Sequence, residues 1–167
     1  VRLDDVSDLV REQLFDVDLE GNDLNVWLYN TARLAISFGH VGVLVDAPKE
    51  GDKTRPYWVT YTPKDILGFR SEIVDGVRQL TQLRLLEQVV EPDGKYGDKI
   101  IKQIRVLERG RYEIHRKDDK KNEYKLFDEG EMSLKDKIPF AIAYSNRVGY
   151  YESRSPLYDI AELNLKH

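Results

Sequence analysis

Apolar residues recur at helical spacing in three stretches of the chain and alternate, or gather in short runs, through most of the rest. Val6, Leu9, Val10, Leu14 and Val17 return every three or four residues, which predicts a helix over about 4–16 with Asp4 and Asp5 at its positive end. Gly21-Asn22 interrupts this pattern, and Asn22 is suited to cap a second helix because its side-chain oxygen accepts from an unpaired backbone N–H. That helix has an apolar face of Leu24, Trp27, Leu28, Leu34, Ala35 and Phe38, with Gly39 able to take the left-handed backbone that ends it. The run Val41-Gly42-Val43-Leu44-Val45 is β-branched and apolar on both faces, as in a strand buried within a domain. Asp46-Ala47-Pro48 closes it, residues 49–55 have loop composition, and Pro56–Tyr61 reads as an aromatic strand.

Thr62-Pro63-Lys64-Asp65 has the form of a helix start, Pro63 forfeiting only an N–H that lacks a helical partner, and Gly68 ends the short turn. From there turn signals at Asp75-Gly76, Pro92-Asp93-Gly94, Arg109-Gly110 and residues 118–122 separate expected strands Phe69–Val74, Val77–Val90, Ile100–Leu107, Arg111–Arg116 and Tyr124–Phe127. Alternation read in Ile100/Lys102/Ile104 and Tyr112/Glu113/Ile114 suggests an antiparallel meander with one wet face. Leucines in both phases of 77–90 point to a bulge. After a connection, Ile138–Tyr144 forms another strand with Pro139 restricted to its start or edge, and Ser145–Arg154 reads as a polar, tyrosine-bearing loop. Ser155-Pro156 repeats the cap-plus-proline start, and Leu157, Ile160, Ala161 and Leu165 begin a third apolar helical face. These elements give an α+β fold, N-terminal helices packed on a mostly antiparallel sheet, in a single domain spanning 1–167.

Composition narrows the function. The 167 residues contain no cysteine, no apolar run near the ~18 residues that cross a bilayer, and no basic start followed by an apolar segment, so disulfides, thiolate metal sites, secretion and a membrane span have no support. The absent initiator Met and a last helix still in pattern at His167 lead to the expectation of a piece of a longer protein. Charge is uneven: residues 1–48 carry three basic and nine acidic side chains (−6), residues 95–125 eleven basic and six acidic (+5). A solvated, alternately charged hairpin accounts for the second count more simply than a nucleic-acid face.

Catalytic patterns are weak. His40, His115 and His167 stand alone and are expected to be structural or surface imidazoles, so no metal or cofactor is predicted. Gly39-His40-Val41-Gly42 follows a helix and precedes a strand, the reverse of a phosphate-binding turn. Ser37, Ser71, Ser133 and Ser153 lack a nucleophile elbow. Asp16, Asp18, Glu20 and Asp23 begin like a calcium loop, yet its twelfth position is Trp27, and a solvated acidic loop is the expected role. Arg111-Tyr112 and Tyr124-Lys125 interleave aromatic and basic residues, as base-stacking sheets do, but read as ordinary strand tyrosines.

Several segments together carry a resemblance. Asp18-Leu19-Glu20-Gly21-Asn22-Asp23-Leu24, then Phe38–Pro48 after the helix, resemble the N-terminal wing region of tailed-bacteriophage and prophage portal proteins. Arg55–Tyr61 with Asp65–Arg70, and Ile138-Pro139-Phe140 with Ser155–Asn164, are similar to later strands and the exit helix of the same region. The resemblance implies a wing fragment of a ring subunit at the capsid vertex through which double-stranded DNA is packaged and ejected, with no catalytic activity or cofactor of its own. Implied partners are other portal subunits, capsid, terminase and head-completion proteins, and the DNA in the channel. The implied places are the virion and the host cytoplasm during assembly, with no membrane. The fragment itself would be monomeric, and Leu157, Ile160, Ala161 and Leu165 would meet another subunit or the rest of the portal. Two other readings stand beside it: an α+β interaction module of a phage or bacterial assembly, and a carboxylate-dependent hydrolase using the acids of 16–23 and Asp46.

Overall fold

The computed structural model describes residues 7–46, 55–118 and 123–166. Mixed helices and antiparallel sheets form two compact units, where the sequence reads as one domain. The first unit comprises 1–63 and 140–167, and the second, 64–139, is inserted between them.

In the first unit, α1 (Asp8–Gln13) is shorter than the periodicity predicts, while α2 (Leu24–Phe38) has the expected extent. Asp4, Asp5 and Val6 lie outside the described residues. Helix α1 stops because the following residues turn on themselves: Val17 N–H donates to the Asn22 carbonyl, and the Asp16 and Asp18 carboxylates accept loop N–H groups. The cap of α2 is Asp23 instead of Asn22. Asp23 Oδ1 accepts from Val26 N–H at 2.9 Å, whereas the Asn22 amide is drawn back to Asp18. The buried stripe is Trp27, Thr31 and Ala35, one helical turn apart, and Leu28 lies outside it, exposed.

Strand β1 (His40–Asp46) is central, between β2 (Tyr57–Tyr61) and β8 (Phe140–Tyr144), antiparallel to both. Val41 and Leu44 point to opposite faces and are both dry, as expected of a doubly covered strand. An edge-on Trp27–Trp58 contact at 4.8 Å places α2 over the Val41/Val43 face, since Trp58 pairs with Val45. The other face holds His40, Gly42 and Leu44 with Tyr61, Phe140 and Tyr144. The free edge of β2 is met by the 14–23 loop, Trp58 N–H donating to the Val17 carbonyl at 2.8 Å. Residues 47–54, including the Asp46-Ala47-Pro48 stop beyond Asp46, lie outside the described residues.

The expected loop after β8 contains a small hairpin, β9 (Arg147–Gly149) with β10 (Glu152–Ser153), turned through Tyr151 at φ 61°. A non-glycine residue in that region carries no composition signal. Helix α3 (Tyr158–Leu165) starts later than the cap-plus-proline pattern predicts: its N-cap is Leu157, with no side-chain cap, and Ser155 Oγ instead accepts from Leu157 N–H in the turn before the helix.

The second unit is a five-stranded antiparallel meander: β3 (Ile66–Val74), β4 (Val77–Asp93), β5 (Gly97–Glu108), β6 (Arg111–Asp118) and β7 (Glu123–Glu131). Thr62-Pro63 begins no helix. The chain turns and enters β3 at Ile66, because Leu86 N–H takes the Asp65 carbonyl at 2.7 Å and draws the segment onto the sheet. The anticipated bulge is at Thr81, where Arg70 pairs with Gln82 and Ser71 with Leu80. Past it Leu83 and Leu85 share one face with Leu107 and are fully buried. The single wet face does not hold. Ile100, Lys102 and Ile104, two residues apart, share a face, and both faces carry charge.

Gly42 provides the tightest fit in the first unit. A Cβ there would run into the ring of Phe140, which also packs on Tyr61 and stacks on Tyr151 at 6.1 Å. Gly42→Ala should therefore displace this ring and cost about 1–3 kcal/mol in chemical denaturation, as overpacking does. Adding Phe140→Leu should recover part of that loss; an additive double variant would show that the ring is not what Gly42 accommodates.

Candidate functional site

The most elaborate polar arrangement in the first unit surrounds the C-terminal end of α2. The last carbonyls of a helix have no partner within it. Here Ser145 Oγ lies 2.7 Å from the Ala35 carbonyl and 2.9 Å from that of Gly39, Ser145 N–H donates to Gly39 at 3.0 Å, and Ser155 Oγ donates to Ile36 at 2.9 Å. Gly39, at φ 91°, lets this segment lie flush. A Cβ would sit 2.5 Å from Ser153 Oγ and 2.9 Å from the Arg154 carbonyl carbon.

Within this seam His40 Nδ1 lies 2.6 Å from Ser153 Oγ, and the ring packs against Tyr144 at 5.9 Å between centroids. Burial holds His40 below the ordinary imidazole range. Tyr144 Oη in turn accepts from Tyr151 N–H at 2.9 Å. The Tyr151 phenol is pushed up by burial, with Tyr150 and Tyr144 adding to it. Sequence gave no hint of the His40–Ser153 pair, whose members are 113 positions apart. Its geometry is that of a structural tether: the serine is on a two-residue strand, not at a strand-to-helix elbow.

The acidic loop is built from its own carboxylates. Asp18 accepts from Glu20 N–H and Asn22 N–H and binds the Asn22 amide at 2.8 Å. Asp16 accepts from Gly21 N–H at 3.0 Å and pairs with Arg55 at 3.3 Å. Burial raises the Asp18 carboxyl, but the Asn22 amide and the backbone donors outweigh it and hold the group below the usual carboxylate range. Asp46 accepts from Tyr57 Oη at 3.3 Å. Among the described residues no three His, Asp or Glu side chains assemble as metal ligands.

The other candidates are dispersed. Ser37 Oγ donates to the Arg33 carbonyl, Ser71 Oγ accepts from Arg78, and His115 Nε2 lies 3.0 Å from Glu113; His167 is outside the described residues. In the basic segment each arginine meets a carboxylate: Arg105 with Glu87, Arg109 with Glu72, Arg111 with Glu108 and Glu113, Arg116 with Glu91, at 2.5–3.8 Å. Tyr112 pairs across from Gly130 and Tyr124 from Lys117, which puts the two rings on opposite faces of the sheet, so they form no stacking platform. Leu157, Ile160 and Leu165 are 44%, 58% and 87% exposed, and Ala161 is exposed with them. No helix among the described residues is long and apolar enough to cross a membrane. Compared with protein-family models and with curated proteins, the chain matches none.

The Asp18 hydrogen bonds set a pH dependence. A carboxyl whose folded pKa is lowered stabilises fully above its unfolded pKa, about 3.9, and loses that stabilisation as pH falls through the folded value. Asp18→Asn places an amide against the Asn22 amide and should cost roughly 1–2 kcal/mol at neutral pH. Urea denaturation should then show a smaller loss of stability below about pH 4 than in the parent; parallel losses down to pH 3 would remove Asp18 from this role.

Proposed function

We propose that the chain is the wing portion of a phage portal subunit, a structural part of a ring at the capsid vertex used for DNA packaging and ejection. The observation that supports this reading most is the order of elements. A helix begins at the acidic, glycine-containing 16–23 loop and feeds directly into a central strand. A meander is then inserted, and a proline-led strand passes by a tyrosine-bearing hairpin into a second helix. Within the described residues, the motifs that carry the resemblance lie at the junctions between these elements. Charge is compatible with it: the arginines of the basic segment are engaged by carboxylates, which suits a surface past which DNA slides better than one that grips phosphates. The partners in this reading are neighbouring portal subunits, capsid, terminase and head-completion proteins, and the virion is where it works.

Leu157, Ile160, Ala161 and Leu165 are where this reading puts contact with another subunit. Their exposure makes them available and makes their replacement tolerable for the fold. Native mass spectrometry of the gene product containing this sequence should give a large closed oligomer. Ile160→Asp with Leu165→Asp should shift it to small species while far-UV circular dichroism stays unchanged. A gene product that remains monomeric at high concentration, with or without capsid scaffold, would instead favour the interaction-module reading.

A further inference from the structure

The seam at the end of α2 has the parts of a switch. His40 begins β1 and sits opposite Tyr144, the last residue of β8, so its ring lies at the end of the sheet, under the segment that leaves it. From β8 it faces Tyr144 and from β10 Ser153, neither charged at neutral pH. The charged side chains of the covering segment give it no counter-charge. Arg147 lies over the Tyr144 ring at 5.2 Å, Arg154 is bound to Asp159 at 2.5 Å, and Glu152 is turned against Gly149. A buried imidazole that takes up a proton there becomes a cation that no carboxylate among the described residues pairs with, and such a charge is costly until water reaches it.

We propose that His40 is the pin of an acid-released latch: a proton taken from water onto its ring detaches residues 145–157 from the end of α2 while the β2-β1-β8 sheet stays folded. The two sides of the ring differ in what they lose. The covering segment is fixed by hydroxyl and amide hydrogen bonds to the carbonyls of Ala35, Ile36 and Gly39, and water replaces those partners once the segment lifts. Strand β1 is held by ladders on both sides and has Val41 and Leu44 fully buried, so exposing His40 from that side means unfolding the unit. Local opening is the less costly route. It frees the start of α3, because Ser155, which holds Leu157 N–H, is also the residue hydrogen-bonded to Ile36. This latch stands apart from the portal reading and would operate in any assembly.

Hydrogen–deuterium exchange between about pH 8 and pH 5, corrected for intrinsic rates, tests it on the intact protein. The sign follows from linkage: an opened His40 binds the proton more strongly than the closed one, so opening grows as pH falls below the ordinary value of 6.5. Peptides within 145–157 should exchange faster as pH falls through that window, by at most about tenfold per pH unit, the limit for one linked proton. Peptides of β1 and β2 should keep their protection. His40→Gln should abolish the dependence and His115→Gln preserve it. Should the His40 variant fail to fold, histidine NMR on the parent decides, since the opening midpoint must coincide with the His40 titration. Constant protection across the range, loss of β1 protection in step with 145–157, or pH dependence surviving in His40→Gln would each overturn the latch.

Discussion

The first unit depends on the sealing of one helix end. Strands β2 and β8 lie on either side of β1 and run parallel to each other, so the chain between them must leave one edge and return to the other. It does so by way of the whole inserted meander. The ladder to β1, from Phe140 opposite Leu44 to Tyr144 opposite His40, sets the register of β8, and the Phe140 ring packs over Gly42 at its start. Its far end is further held by the segment after it, where the Ser145 hydroxyl meets the Gly39 carbonyl and that of Ala35, which also accepts Gly39 N–H, and Ser155 supplies a hydroxyl to Ile36. The same bonds therefore end α2, anchor β8 and lead into α3. A local requirement of helix geometry becomes the closure of a discontinuous unit.

Much of this was readable where the signal is local. Helix α2 and its end at Gly39 follow from periodicity and one permissive backbone position. The buried strand β1, the meander and the bulge in β4 follow from β-branched runs, turn residues and leucines in two phases. Misreadings arose where two local signals competed or a distant partner decided. Asn22 and Asp23 are both good caps, and Asp23 took the role because Asp18 engages the Asn22 amide. Thr62-Pro63 has the form of a helix start, yet the sheet captures Asp65. Thr31, a polar residue absent from the expected face, is buried, while Leu28 beside it is not. The candidate site was legible only as scattered serines and an isolated histidine, since the contacts that unite them span more than a hundred positions.

Charge in the meander shows why composition alone misleads about partners. Residues 95–125 are strongly basic by count, but Arg105 on β5 meets Glu87 on the neighbouring β4, and Arg116 on β6 reaches across β5 to Glu91 on β4. Gln103, 4% exposed, joins both sides, donating to Glu87 and accepting from Arg116. These residues share the face of Leu83, Leu85 and Leu107, so the sheet continues a dry apolar patch with a paired polar one. Removing a single member would leave its partner half-buried and uncompensated, which is more costly than the pair is stabilising. Such a network penalises a slip of β4 against β5, because a one-residue shift would carry Glu87 and Gln103 to opposite faces. Carboxylates of β4 engage Arg105 and Arg116 and give those two charges a structural use in fixing register.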